Sequence, residues 1–327
     1  MGTILTEGSF TAEIMADSFV RVPRELNSKG SHRITTIRIE FPRIVLAELN
    51  THRLFSRNSA SSRAIPAKQM RARAVNNPFI PNRFPLDHTG MQASEWVEST
   101  DERYQKMVST WLKCRDTVVA ISEELSKENV SKQLGNRFVE PVLMHQVIVT
   151  ATEWENFFAL RVDEAAQNEI RIIAELMLKA MNESCPVELQ PKQWHLPFGD
   201  KLDEVKLKDF LNSDYMKAYF YISLEELRRM VIVARCARVS YFNFQGKDDF
   251  QADFELFTRL KHQGHMSPFE HVARAMTSEE YGLYSHTYPT RTEYGWCANF
   301  RGFVQMRKLF ESEIENRHDS RLKPVKL

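Results

Sequence analysis

The chain has 327 residues, 43% hydrophobic and 11% aromatic, with a formal charge of +1. That composition supplies a sizeable globular core and argues against low complexity. No apolar run approaches a membrane span and no signal peptide opens the chain, so a cytoplasmic protein is expected. Cys114, Cys185, Cys236 and Cys297 lie far apart with no CxxC pair and read as reduced thiols rather than a disulfide framework.

In chain order, Thr11–Val20 and Arg33–Glu40 are the first predicted strands. The second is rich in β-branched residues, and Asn27 to Ser31 supplies the turn of an antiparallel pair. Pro42 opens a helical segment through Leu49. Val75–His88 is rich in Pro and Asn and predicts a loop. Apolar residues at helical spacing predict a long helix from Glu95 to Lys127, with Trp111 in its core-facing stripe. Val139–Thr150 reads as a strand or buried crossover. Thr152, followed by acids, starts a helix expected to run to Met181, ended by Cys185-Pro186. Gln190–Gly199 is a loop, Ser223–Ser240 and Asp253–Gln263 are helices, and Asn299–Glu315 is a last helix. Strands not arranged as βαβ units among many helices predict an α+β fold, with an antiparallel sheet packed by long helices. No GxGxxG or P-loop pattern occurs.

Three clusters carry chemistry. Nothing between Glu48 and Asp87 is acidic, and that zone holds Arg53, Arg57, Arg63, Lys68, Arg71, Arg73 and Arg83. Within it, Asn50 to Arg63 adds His52 and the hydroxyls of Ser56, Ser59, Ser61 and Ser62. Cations with short hydroxyls are what a phosphate-bearing ligand needs; charge alone would also describe a solvated basic loop, and the serines shift the balance toward a phosphate cradle. The second cluster is Phe157 to Arg171. There Arg161 follows an apolar run and is either paired with Glu164 on its own helix face or aimed into a pocket. The third is Gly264-His265-Met266-Ser267-Pro268-Phe269-Glu270-His271, whose Ser267 and Glu270 read as a capping box. His262, His265 and His271 fit no familiar zinc spacing, so no metal is expected.

Together these clusters resemble the flavin-dependent thymidylate synthase (ThyX) family. Its Arg-His-Arg, seven residues, Ser, then Arg signature is similar to Thr51-His52-Arg53, Ser61 and Arg63. Its substrate helix resembles Asn156 and Leu160-Arg161-Val162-Asp163 through Ala166-Gln167-Asn168-Glu169-Ile170. Its Ala-Arg-Val-Ser and Gly-His-x-Ser-Pro-Phe-Glu-His motifs resemble Ala237–Ser240 and Gly264–His271. In the family the last two precede the signature; here they follow it, as in a circular permutation.

The resemblance implies a single catalytic domain over residues 1–327: signature and substrate helix in 1–190, permuted flavin-side motifs in 223–277, and a C-terminal helical extension in 278–327. It implies C5 methylation of dUMP with methylenetetrahydrofolate as carbon donor, FAD as cofactor and NADPH as reductant, in a homotetramer. Glu48, Ser61, Arg63, Arg137 and Arg161 would bind the nucleotide, with Arg161 catalytic. His52, Arg53, Ser59, Asn156, Ser240, His265, Ser267 and Glu270 would lie on the flavin side. Three positions depart from the family: Thr51 replaces an arginine, Glu48 a glutamine and Ser59 a glutamate. They leave open another pyrimidine nucleotide as substrate, or a non-catalytic relative. A nucleic-acid-binding stripe is disfavoured by the near-neutral charge and the few aromatics interleaved with it, Phe55, Phe79 and Phe84. The permutation requires Gly264–Ala275 to pack beside Ile34–Arg53.

Overall fold

The computed structural model describes residues 3–26, 30–90, 92–239, 249–288 and 292–310. A hairpin of β1 (Ile4–Glu7) and β2 (Phe10–Arg21) leads to β3 (Ser31–Pro42), the short helix α1 (Leu46–Asn50) and β4 (Ser56–Ser59). Next come α2 (Ala67–Asn76), the two-residue strands β5 (Phe84–Pro85) and β6 (Trp96–Val97), α3 (Glu102–Lys127) and α4 (Lys132–Gly135). A 3-10 segment, Asn136–Val142, enters β7 (Met144–Ala151), followed by α5 (Glu155–Arg161) and α6 (Asn168–Glu183). The rest begins with β8 (Val187–Glu188), β9 (Trp194–His195), α7 (Glu204–Leu211), α8 (Leu224–Arg238) and α9 (Phe250–Gln263). It ends with β10 (Ala273–Ala275), α10 (Ser278–Leu283), β11 (Ser285–Thr287), β12 (Thr292–Tyr294), β13 (Trp296–Cys297), β14 (Phe300–Arg301) and β15 (Phe303–Gln305). The α+β expectation holds.

The main sheet runs β1-β2-β3-β7-β4, with β8 added parallel to β2. Period-two alternation sorts its side chains between two cores. Ile37, Ile39 and Phe41 of β3 and Val147, Val149 and Ala151 of β7 pack with Ile170, Ile173 and Met177 of α6. On the opposite face, Ile148 packs with Phe269, Val272 and residues of α8 and α9. A bulge between Ile14 and Ala16 of β2 sends Met15 to that second core. Local chemistry fixes the helix ends: Asp101 caps α3, Ser223 and Glu226 form a capping box on α8, and Gly264 closes α9 at φ 70°.

The second face also carries a file of buried polar side chains. Ser18 Oγ meets His195 Nδ1 at 3.0 Å, and His195 Nε2 meets Thr36 Oγ1 at 2.8 Å. Thr36 meets Thr150 at 2.7 Å, and Thr150 meets His271 Nδ1 at 2.8 Å. The file crosses β2, β3 and β7 and ends beside the Ser267–Glu270 turn, which itself packs against β4. The permuted segment therefore reaches the sheet as required, touching β4 just beyond Arg53 and linking to Thr36 through Thr150.

Several expected elements are different. The helix expected from Thr152 to Met181 is two helices, because the chain leaves helical geometry at Val162 and Asp163 Oδ1 accepts the Ala165 N–H. Thr152 is not its cap; its hydroxyl accepts the Arg301 N–H instead. The long helix α3 starts at Glu102, and Trp96 sits in β6. The expected Gln190–Gly199 loop contains β9, paired with β10. The C-terminal helical extension over 278–327 is mostly hairpins in its described part. Gly295 and Gly302, both at φ 80°, turn the chain where the Tyr281 ring leaves no room for a Cβ, and β15 pairs with β10. Residues 311–315 of the predicted Asn299–Glu315 helix lie outside the described residues.

Burial holds His195 down to about 4 and His271 down to about 3, the latter aided by His195. Burial likewise holds His32 down to about 4 and His145 to about 3, with cationic neighbours Arg301 and Arg43. All four are neutral in the fold but take up a proton near pH 6.5 when unfolded. Stability should be intact above that pH and fall as pH drops from about 6.5 toward 3–4, at about 1.4 kcal/mol per pH unit for each histidine. Thermal melts across that window check the sign; a melting temperature that rises on acidification contradicts it.

Candidate active site

Between β3 and β4 the chain makes a compact corner that holds the first signature residues. Arg57 folds back and donates to the carbonyls of Leu49 and His52 at 3.1 and 3.2 Å, closing the corner with backbone acceptors. His52 is buried against Phe55, at 5.7 Å, and edge-on to Phe157 of α5, at 4.9 Å between ring centroids. Trp154 closes on Phe55 at 4.7 Å. This aromatic cluster seats α5 on the corner, and α5 ends at Arg161.

Arg161 does not pair with Glu164. Its Nε donates to His52 Nε2 at 3.1 Å, and its Nη2 donates to Thr51 Oγ1 at 3.2 Å. The Thr51 hydroxyl in turn donates to the Glu48 carbonyl at 2.7 Å. Because a guanidinium only donates, His52 must present a lone pair at Nε2. Its pKa is lowered by burial first, then by Arg161 and Arg57, which keeps the ring in the neutral, accepting form. A charge-bearing arginine is thus held at two points across 109 and 110 residues of sequence. Glu48, on α1, is half-buried, and its Oε2 is buried with no hydrogen-bond partner among the described residues.

The basic hydroxyl loop follows β4. Asn136 is fully buried and its amide donates to the carbonyls of Ser62 and Ile65, at 2.7 and 2.9 Å. Lys132 donates to the Ala64 carbonyl at 3.1 Å. These bonds clamp the loop from the outside and leave Arg63 exposed and Ser61 half-exposed. Arg137, next to Asn136, is exposed and paired with Glu140 at 2.8 Å. Ser61, Arg63 and Arg137 therefore share one neighbourhood, with Arg137 tethered.

The third cluster approaches from the far end of the chain. Ser267–Glu270 is a single 3-10 turn capped from Met266, with no side-chain cap bond, so the expected capping box does not form. The reason is that Glu270 is paired with Arg307. Glu270 also faces Arg57 electrostatically, so this turn and the signature corner meet. Ser267 and His265 are exposed, as are Arg53 and Asn156. Ser59 is half-buried in β4 opposite Val147. Ser240 lies outside the described residues. His262 and His265 are exposed while His271 is turned into the core, and among the described residues no group of three His, Cys, Asp or Glu side chains is placed to hold a metal.

Sequence reasoning missed four polar residues that organise the region. Asn136 carried a faint signal, an amide beside an arginine in a short apolar segment. Thr36 and Thr150 looked like ordinary β-branched strand residues. His195 lay in a segment read as loop. Thr51 was read as a lost arginine, whereas its hydroxyl holds Arg161.

A family model described as thymidylate synthase complementing protein, Thy1, matches residues 23–187, half of the chain. It spans the signature corner and Arg161 and stops short of the two later motifs. No curated protein matches the chain. Among solved structures, UMP/dUMP methylase PolB from Streptomyces cacaoi bound with 5-Br dUMP aligns at 17% identity and a TM-score of 0.39. The match covers 46% of this chain and 67% of that one. The same methylase bound with 5-Br UMP aligns at 15% identity and 0.43, covering 54% and 90%.

Asn136→Ala removes two donors and leaves two buried carbonyls unmet. The expected loss is about 2–4 kcal/mol by denaturant unfolding, with proteolysis at the 61–66 loop faster than at other exposed sites. Unchanged stability would mean that the loop is not clamped by this amide.

Proposed function

The chain belongs to the Thy1 family of thymidylate synthase complementing proteins, and from that premise we propose that it methylates dUMP at C5 as a flavin-dependent thymidylate synthase. Methylenetetrahydrofolate would donate the carbon, with NADPH as the reductant. When bound, FAD supplies the hydride. The observation that carries the reading is the grip of neutral His52 and Thr51 on Arg161, which joins the signature corner to the substrate helix.

The residues fit such chemistry in type. Ser61 and Arg63 are accessible on a clamped loop, and a fixed loop of cation and hydroxyl binds phosphate without first having to be ordered. Arg137 would add a second cation, at the cost of loosening its pair with Glu140. Arg161 has two of its donors held by the protein, so its remaining N–H groups keep a set direction. In the reaction they would face the pyrimidine and stabilise negative charge as the ring is activated. Using His52 as an acceptor keeps positive charge on the arginine alone.

The donor set also suits a flavin nucleotide. Exposed Arg53 offers a cation for a diphosphate, Asn156 and Ser267 offer polar groups, and His52, Ser59, Ser240, His265 and Glu270 complete the flavin side of the assignment. Several of these are exposed on one chain, consistent with sites shared between subunits of a homotetramer. No protein nucleophile is required. Burial raises the thiol pKa of Cys236 and Cys297, which suits neither to attack.

A second reading follows from Glu48. A half-buried carboxylate with an unpaired oxygen accepts hydrogen bonds where a glutamine would also donate. It suits a base presenting an amino donor at that point, as cytosine does where uracil presents a carbonyl, and so a nucleotide other than dUMP.

Tritium release from C5-labelled dUMP, with methylenetetrahydrofolate, NADPH and FAD, tests the first reading. Arg161→Ala should lower turnover by about a thousandfold or more while leaving the far-ultraviolet circular dichroism unchanged. A fully active Arg161→Ala protein overturns the catalytic assignment. If dUMP is inert, release from labelled dCMP by the same protein, lost in Glu48→Gln, selects the second reading.

A further inference from the structure

The last strands bring to the signature corner a side chain that lies outside the family match to residues 23–187. β13 and β14 form a tight hairpin, with Trp296 opposite Arg301 and Cys297 opposite Phe300, so its two turn residues are Ala298 and Asn299. Ala298 stands at φ 54°, a left-handed conformation that an alanine adopts only where its surroundings demand it. Both polar atoms of the Asn299 amide are engaged. Its nitrogen donates to the Leu54 carbonyl and to Ser56 Oγ, each at 3.0 Å. Its oxygen accepts the Gln305 amide at 2.6 Å, and the same Gln305 nitrogen donates to Ser56 Oγ at 3.3 Å. Gln305 and Ser56 are buried, and Gln305 sits on β15 opposite Ala273 of β10, two residues beyond His271.

Asn299 thus bridges Leu54, which follows His52 and Arg53, and Ser56, which opens β4. Between them lies Phe55, whose ring packs on His52. The backbone bonds of the corner are local: the N–H groups of Thr51, His52 and Phe55 reach carbonyls three residues back, at 3.2, 3.3 and 3.3 Å. A single turn held by such bonds is not stable by itself. Arg57 closes it on the carbonyls of Leu49 and His52, and Asn299 closes it on the carbonyl of Leu54. A satisfied side-chain network of this kind fixes one arrangement where apolar packing alone would permit several.

We propose that Asn299 is a positioning residue, which holds the signature corner from the C-terminal hairpins and so sets the direction of the Arg161 guanidinium gripped by His52 and Thr51. Its effect on turnover rests on the methylation reading; its hold on the corner does not. The loop that carries Ser61 and Arg63 is clamped separately, by Asn136 and Lys132. Loosening the corner should therefore disturb the chemical step and leave nucleotide binding alone.

The test is Asn299→Asp in the full chain, which keeps an oxygen for the Gln305 amide and removes both N–H donors. By hydrogen-exchange mass spectrometry without ligands, peptides covering 50–56 should exchange about tenfold faster, with 61–66 and β7 unchanged. Asn299→Ala, which adds no charge, should repeat the pattern. Unchanged exchange at the corner overturns the proposal. So does faster exchange throughout the sheet, which would make Asn299 a general brace, and so does loosening in the Asp variant alone, which would be an effect of its charge. In tritium release from dUMP, kcat should fall about tenfold or more while KM for dUMP stays within about twofold. An unchanged kcat, or a raised KM alone, overturns the positioning role. If the unaltered protein releases no tritium from dUMP, the dUMP reading fails and exchange at the corner decides the proposal by itself.

Discussion

The file Ser18–His195–Thr36–Thr150–His271 is the constraint on which the placement of the C-terminal half depends. Every bridging member is buried beyond the reach of water, so the hydroxyls of Thr36 and Thr150 and both His195 ring nitrogens find their partners within the file, while His271 Nε2, at its end, is buried with no partner among the described residues. A hydroxyl donates once and a neutral imidazole donates once. The file therefore has two consistent directions, all donors toward His271 or all toward Ser18. Either one fails if a single member shifts by an ångström or two. Apolar burial of Ile148 against Phe269 tolerates sliding; this file does not. It registers β9 and the 267–271 turn against three strands of the main sheet, and that register brings Glu270 toward Arg57.

On the other sheet face the equivalent constraint is smaller and more local. His52 is fixed by ring packing with Phe55 and Phe157, and Arg161 is fixed by His52. The neutrality of His52 makes this grip work: a protonated ring would have no lone pair for Arg161 and would repel it. Burial and the two flanking arginines push in the same direction, so the ring stays an acceptor where an exposed histidine would begin to charge. The two faces thus use histidine alike, as a neutral connector between elements distant in sequence.

The sequence made β3 legible through its β-branched residues and β7 through an apolar, partly β-branched run, and it located α8 and most of α9, which begins at Phe250 on the Asp249 cap rather than at Asp253. It also pointed to Arg161 and the basic hydroxyl loop, since residue type and spacing carry those signals. The break after Arg161 stayed hidden because Val162 to Gln167 contains no glycine or proline; it is a side-chain bond from Asp163 that competes with the helix. The 299–305 hairpins stayed hidden because Gly302 reads as a tolerated helix residue until Tyr281 is seen against it. The Ser267–Glu270 capping box failed for a related reason: Arg307 outcompetes a local backbone donor for the carboxylate.

The three departures at the signature corner are not equivalent once this geometry is considered. An arginine at position 51 would bring a cation against Arg161, whereas Thr51 accepts a hydrogen bond from it. Replacing arginine by Thr51 removes one positive charge, and replacing glutamate by Ser59 removes one negative charge. Those two changes cancel. What remains is the carboxylate of Glu48, one extra negative charge on α1, with an oxygen that nothing in the described chain satisfies. Ser61 and Arg63 keep the family pattern, so the proposed reading gives phosphate binding no reason to differ. In the proposed reading Glu48 meets an edge of the pyrimidine, and there any difference from the family in substrate should show as a change in hydrogen-bond polarity rather than in nucleotide affinity as a whole.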